Sequence, residues 1–119
     1  MSLLADDDGI KHYEKTSLSC VSADNLAGDL AEIGRKQVIL TGMETHVCIL
    51  QSAINLLSND CQVFIVSDVV CSRHREGYET SLIRLNQAGA IITNTESAVF
   101  EWLRDTKHEH FKSLQSLIR

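Results

Sequence analysis

Two apolar runs, each closed by a turn and followed by a helix-patterned stretch, constrain this chain more than any other feature. Gln37-Val-Ile-Leu-Thr41 ends at Gly42, and the stretch 45–58 then spaces Ile49, Leu50, Ala53, Ile54 and Leu57 as one helical face. Gln62-Val-Phe-Ile-Val-Ser67 repeats the pattern, with a polar loop over 68–73 and a helix over 76–88 closed by Gly89. Ala90-Ile-Ile-Thr93 is a third apolar run, with helices expected over 96–104 and 108–118. Strands alternating with helices of this length give βαβ units and a parallel sheet. Right-handed crossovers between strands that are neighbours in sequence order place both connecting helices on one face. The strands are apolar on both sides, so the second face also needs a cover. The candidates are the C-terminal helices and 22–33, where Leu26, Leu30 and Ile33 share a face between a Ser22 cap and a Gly34 stop. Three strands make a thin sheet for this architecture, which reads like the second half of a doubly wound domain.

Composition narrows the function. The 119 residues fit one domain, and 44% hydrophobic with 23% charged content is that of a globular chain. A net charge of −5 gives no basic surface for nucleic acid, and no apolar run reaches the length of a membrane span. Leu3-Leu4-Ala5 followed by Asp6-Asp7-Asp8 fits neither a secretory signal nor a transit peptide. An intracellular protein is therefore expected, cytoplasmic or alternatively mitochondrial, with its four cysteines reduced rather than paired. Proline is absent, where average usage would give about six. Residues 1–12 read as an irregular tail and 13–119 as the domain.

Ligands of open parallel sheets bind beyond the carboxyl ends of the strands, which here means the loops 42–46, 68–73 and 94–96. Cys48 follows Gly42 by less than two turns and falls in the first turn of the next helix. There, unpaired N–H groups and the positive dipole end favour thiolate over thiol and can hold an oxyanion. A free cysteine is equally at home as a small buried apolar side chain, and spacing leaves the two readings level. His46 stands at i−2 and does not face Cys48 on a helix, so a loop or capping role fits it better than a Cys–His dyad. His108-Glu109-His110 diverges on a helix and reads as a solvated face, not a metal site. Arg73 lies at a strand end where an anionic group can be met. Cys20, Cys61 and Cys71 carry no spacing signal and read as packing residues. Nothing calls for a metal or cofactor.

Gly42-Met-Glu-Thr-His-Val-Cys48 resembles the nucleophile motif of the isochorismatase-like (cysteine hydrolase) superfamily, most nearly its eukaryotic isochorismatase domain-containing proteins. The resemblance continues through Val66-Ser-Asp-Val-Val-Cys-Ser-Arg73, Leu85-Asn-Gln-Ala-Gly-Ala90, Thr95-Glu96 and His108-Glu-His-Phe-Lys112. Upstream, Lys15-Thr-Ser-Leu-Ser19 is similar to that branch's Lys-Thr-x-Phe-Ser segment, with Leu18 and Cys20 where the branch has Phe and Met. Roughly 13–118 is covered. The resemblance implies a three-layer, Rossmann-like α/β fold whose parallel sheet is flanked by helices and here lacks its first strands. It implies an Asp–Lys–Cys triad in which Cys48 is the nucleophile and Lys15 the lysine that stabilises the thiolate. The backbone N–H groups of Glu44, after a cis peptide, and of Cys48 would form the oxyanion hole, with Thr45 and Arg73 against a small amide- or ester-type substrate. The triad's aspartate belongs to a first strand with an Asp-x-Gln-type motif. Asp6, Asp7 and Asp8 match no such motif, so the general base is unassigned and the chain alone is expected to turn over little. The alternative is a non-catalytic form acting through homo-oligomerisation or partner binding across an open strand edge.

Overall fold

The computed structural model describes residues 9–23 and 25–118; Asp6, Asp7 and Asp8 lie outside them. Three strands, β1 (Gln37–Met43), β2 (Gln62–Cys71) and β3 (Ile91–Thr93), form a parallel sheet in the order β1-β2-β3. Around it lie α1 (Leu26–Ile33), α2 (Leu50–Ser58), α3 (Arg75–Gln87), α4 (Thr95–Leu103) and α5 (Phe111–Leu117). A π-helical turn (Thr45–Ile49) joins β1 to α2, and a 3-10 turn (Cys20–Ser22) precedes α1. None of the described helices is long and apolar enough to cross a membrane.

Sequence-neighbour order and parallel pairing put α2 and α3 on one face, as the crossover rule requires. The core forms there: Ile49, Ala53 and Leu56 meet Val63, Ile65, Leu85 and Ala90. Leu56 joins this stripe although the expected face ran through Ile54 and Leu57, which pack beside it. The stretch 22–33 does not cover the opposite face. Val21 and Leu30 pack against the same core as α2, and Ile33 is exposed. Nor does Ser22 cap a helix. Ser19 accepts from the Val21 N–H (3.3 Å) to start the 3-10 turn, and α1 begins only after Asn25 in the left-handed region (φ 63°). Gly34 does close α1, its N–H on the Leu30 carbonyl (3.2 Å).

Strand β2 also outruns its expected end at Ser67. Leu40 faces Ile65, but Gly42 faces Val70, so Val66 to Val69 bulge against Thr41 alone. The bulge admits polar Asp68 into the strand. Its Oδ1 accepts from the Thr95 N–H (2.9 Å) and hydroxyl (3.1 Å), while Asn94 accepts from the Ser97 N–H (2.8 Å). These bonds satisfy the start of α4, which lies on the second face. A groove of about 450 Å³, lined by Ile39, Val66, Val69, Val99 and Trp102, is left between α4 and the sheet.

Candidate active site

The chain leaves β1 through Gly42, whose φ of 119° is closed to a side-chain-bearing residue at no cost. Glu44 then passes in an extended conformation (φ −75°, ψ 119°) and its carbonyl accepts from both the Val47 and Ile49 N–H groups (3.1 and 3.2 Å). This closes one wide π turn rather than the α-helical turn expected from periodicity. The peptides of the described residues are all trans, including the one before Glu44 where a cis bond was expected. The reversal into the turn is made at Gly42 instead. Ile49 is buried in the core and Cys48 half-buried at the surface.

Lys15 reaches this cysteine from a segment 33 residues away, its Nζ 3.7 Å from Cys48 Sγ. The same ammonium donates to the carbonyls of Ser17 (2.9 Å) and Leu18 (3.1 Å), so its position is fixed by its own loop. That loop is fastened to α2 by polar contacts the sequence reading missed. The Cys20 N–H donates to Ser52 Oγ (2.8 Å) and Asn55 Nδ2 to Ser19 Oγ (2.8 Å), with Ser19 and Ser52 both buried. The signal was present in the sequence, because Ser52 stands on the Ile49, Ala53, Leu56 stripe where an apolar residue is the default. Upstream of that loop, the Tyr13 hydroxyl donates to Asp29 on α1, and Lys11 Nζ lies 3.2 Å from the same carboxylate. The Tyr13 bond, with Lys11 beside it, holds the Asp29 carboxyl below its ordinary value, and the same bond raises the Tyr13 phenol. Residues 11–13 therefore hold no helix or strand yet are tied down.

The other expected residues divide. Thr45 is completely buried and its Oγ1 has no hydrogen-bond partner, so its hydroxyl is covered rather than exposed to a ligand. Arg73 stands at the strand end as expected, but its Nε is engaged by Glu44 Oε2 (3.2 Å). His46 does take a loop role: its N–H donates to Ser72 Oγ (3.4 Å) and its Nδ1 lies 2.9 Å from the same oxygen. His108 and His110 are exposed, with the His110 N–H on His108 Nδ1 (3.1 Å). Among the described residues no group of three His, Cys, Asp or Glu could hold a metal. Cys20 and Cys61 are half-buried, whereas Cys71, expected in packing, is exposed; all four cysteines are free. A cavity of about 300 Å³ lined by Val21, Leu30, Leu56 and Cys61 does not include Cys48, and neither does the groove under α4.

A strand, a glycine reversal, a cysteine in the following turn and a lysine delivered to it from upstream make up the candidate site. The isochorismatase domain model matches residues 1–97. This chain belongs to the isochorismatase family. It is 37% identical over 111 residues to isochorismatase domain-containing protein 2 of Bos taurus, covering 93% of this chain and 54% of that protein. Among solved structures, MAR1 ribonuclease from Caenorhabditis elegans matches with a TM-score of 0.78 at 34% identity, covering 87% of this chain and 53% of that one. Nicotinamidase PncA from Bacillus subtilis matches with a TM-score of 0.70 at 26% identity, covering 76% and 50%. The isochorismatase-family sheet expected from the motifs is thus the sheet observed. The chain spans about half the length of the curated relatives it matches.

Proposed function

We propose that this chain carries the nucleophile and the lysine of a cysteine hydrolase acting on a small amide- or ester-type substrate. The observation that carries the reading is the 3.7 Å approach of Lys15 Nζ to Cys48 Sγ from a segment fixed independently of it. An ammonium at that distance lies where it can attract the negative charge of the attacking sulfur. Attack on the carbonyl carbon forms a C–S bond and breaks the C–N or C–O bond, and the amine or alcohol leaves with the proton that the thiol gives up. Water then releases the acid and restores the thiol. The N–H groups of Glu44 and Cys48 are the donors for the oxyanion, and Arg73, paired with Glu44, flanks the entry to the turn. The amide class is supported by the nicotinamidase among the structural neighbours. We place the reaction in the cytoplasm, where a catalytic thiol stays reduced.

No carboxylate of the described residues bonds Cys48 or Lys15, so the general base stays unassigned and turnover by residues 1–119 alone is expected to be slight. Iodoacetamide labelling followed by peptide mass spectrometry tests the nucleophile. Cys48 should react faster at neutral pH than Cys61 and exposed Cys71, and equal rates would sink the assignment.

A second reading, association without catalysis, is favoured by one observation. Among the described residues β1 is an edge strand, and Ile39, Met43 and Trp102 are exposed there. Its seven residues contain no charge and no proline, the usual guards of an open edge. Light scattering should find a homo-oligomer that Ile39→Lys dissociates. A stable wild-type monomer would count against it.

A further inference from the structure

The Cys48 turn is held from outside by a side chain to which the nucleophile reading gives no role. The imidazole of His46 lies against the first turn of α3, where Gly77 leaves room for it. A Cβ at residue 77 would stand 3.1 Å from His46 Cγ and 3.3 Å from Cδ2. Glycine inside a helix is disfavoured relative to alanine, and here the missing methyl makes the ring's seat. At one end of the ring, Ser72 Oγ receives the His46 backbone N–H (3.4 Å) and touches Nδ1 (2.9 Å). At the other end, Nε2 faces Glu44 Oε2 at 3.6 Å, the oxygen that also takes Arg73 Nε at 3.2 Å.

These contacts select a tautomer. The backbone N–H can only donate, so Ser72 Oγ accepts there and its own proton is free to go to Nδ1. A bare Nε2 lone pair would face a carboxylate oxygen, which is repulsive, whereas an Nε2–H faces it favourably. The neutral ring therefore carries its proton on Nε2 and accepts at Nδ1. In that state, one imidazole ties the turn to the loop after β2 through Ser72 and turns its Nε2–H toward Glu44, 3.6 Å away at the turn's own entry. Glu44 supplies the carbonyl that closes the turn, and Cys48 lies two residues beyond His46 on the same turn.

We propose that His46 is a positioning residue: locked as the Nε2–H tautomer between Ser72 and Glu44 and seated on Gly77, it fixes the turn that presents Cys48 to Lys15. This deepens the nucleophile reading above and rests on it. Long-range ¹H–¹⁵N correlation spectra of the wild-type chain read the tautomer without any variant. They should show a protonated Nε2 and an acceptor Nδ1, and an Nδ1–H ring overturns the proposal. Cys48 alkylation supplies the second readout, with Cys71 in the same sample as reference. Ser72→Ala should slow Cys48 about tenfold as the thiol loses its alignment with Lys15, and Ser72→Thr, which keeps the hydroxyl, should restore it. An unchanged rate in Ser72→Ala, or a Ser72→Thr as slow as Ser72→Ala, overturns the positioning role. A wild-type Cys48 no faster than Cys61 overturns the nucleophile reading itself, and the positioning role with it. The wrong tautomer beside a fast Cys48 overturns the positioning role alone.

Discussion

The two faces of the sheet are built from the same kinds of residue and end in opposite conditions. On the face under α2 and α3, Val63, Ile65 and Leu85 are completely buried. On the other, Ile39 is 42% exposed, Ile91 39% and Trp102 67%, because α4 spans only part of the strands. Apolar content is therefore no guide to which face is finished. What separates them is the crossover rule, which sends both connecting helices to one side. The turn that carries Cys48 belongs to the finished side through Ile49 and through its contacts with α3. The chemistry proposed for Cys48 therefore rests on the side where packing is complete, and the proposed association on the more exposed one.

Core truncation should separate the faces most widely. Leu85→Ala is expected to lower unfolding free energy by about 2–5 kcal/mol, read from urea denaturation. Ile39→Ala on the open face should cost about 1 kcal/mol or less, in proportion to the smaller area it hides. Similar losses at both positions would erase the distinction. Ser52→Ala comes next. It removes the acceptor of the Cys20 N–H and should cost about 1–2 kcal/mol while also slowing Cys48, since the Lys15 loop hangs on that bond. Destabilisation with no change at Cys48 would cut the link between packing and site. Asn94→Ala, which uncaps α4 on the open face, should cost about 1 kcal/mol and leave Cys48 labelling as it was.

The smallest effect is the acid response of the lead-in. The folded Asp29 carboxyl lies below its ordinary 3.8, so its contribution is complete above that value and is lost as pH falls through the lower folded one. Tyr13 runs the other way, contributing below its ordinary 10.0 and losing that contribution as pH rises through its raised folded value. Hydrogen exchange should show residues 11–18 opening in acid before β2 does. Simultaneous opening would mean the Tyr13–Asp29–Lys11 contacts hold nothing in place.

Much of the fold was legible because hydrophobic period reports burial. The 3.6-residue spacing after Gly42 and the apolar runs before Gly42 and Ser67 located two βαβ crossovers. What escaped were features that period does not encode. Over one turn, π and α spacing look alike, so Thr45–Ile49 read as α. Asp68 looked like loop because a bulge, invisible in sequence, lets a polar residue sit inside β2. Leu26, Leu30 and Ile33 gave α1 a face, but nothing in them says which side of the sheet it meets. The site divides in the same way. Gly42 and Cys48 are local, and the turn chemistry points to them. Lys15 was indistinguishable from a surface lysine until the family resemblance named it, because no local pattern encodes a contact across 33 residues. Ser72 and Gly77 sat in plain view without a signal, since their meaning is the His46 ring between them.

The central claim is that Lys15 makes Cys48 reactive, and Lys15→Met tests it most directly by keeping the side-chain bulk and removing the charge. Iodoacetamide rates for Cys48, Cys61 and Cys71 would be measured at neutral pH in the wild type and in this variant. The predicted result is a wild-type Cys48 well ahead of the other two, falling about tenfold or more in Lys15→Met while Cys61 and Cys71 hold their rates. A Cys48 rate indifferent to the loss of Lys15, in a variant with wild-type circular dichroism, would contradict it.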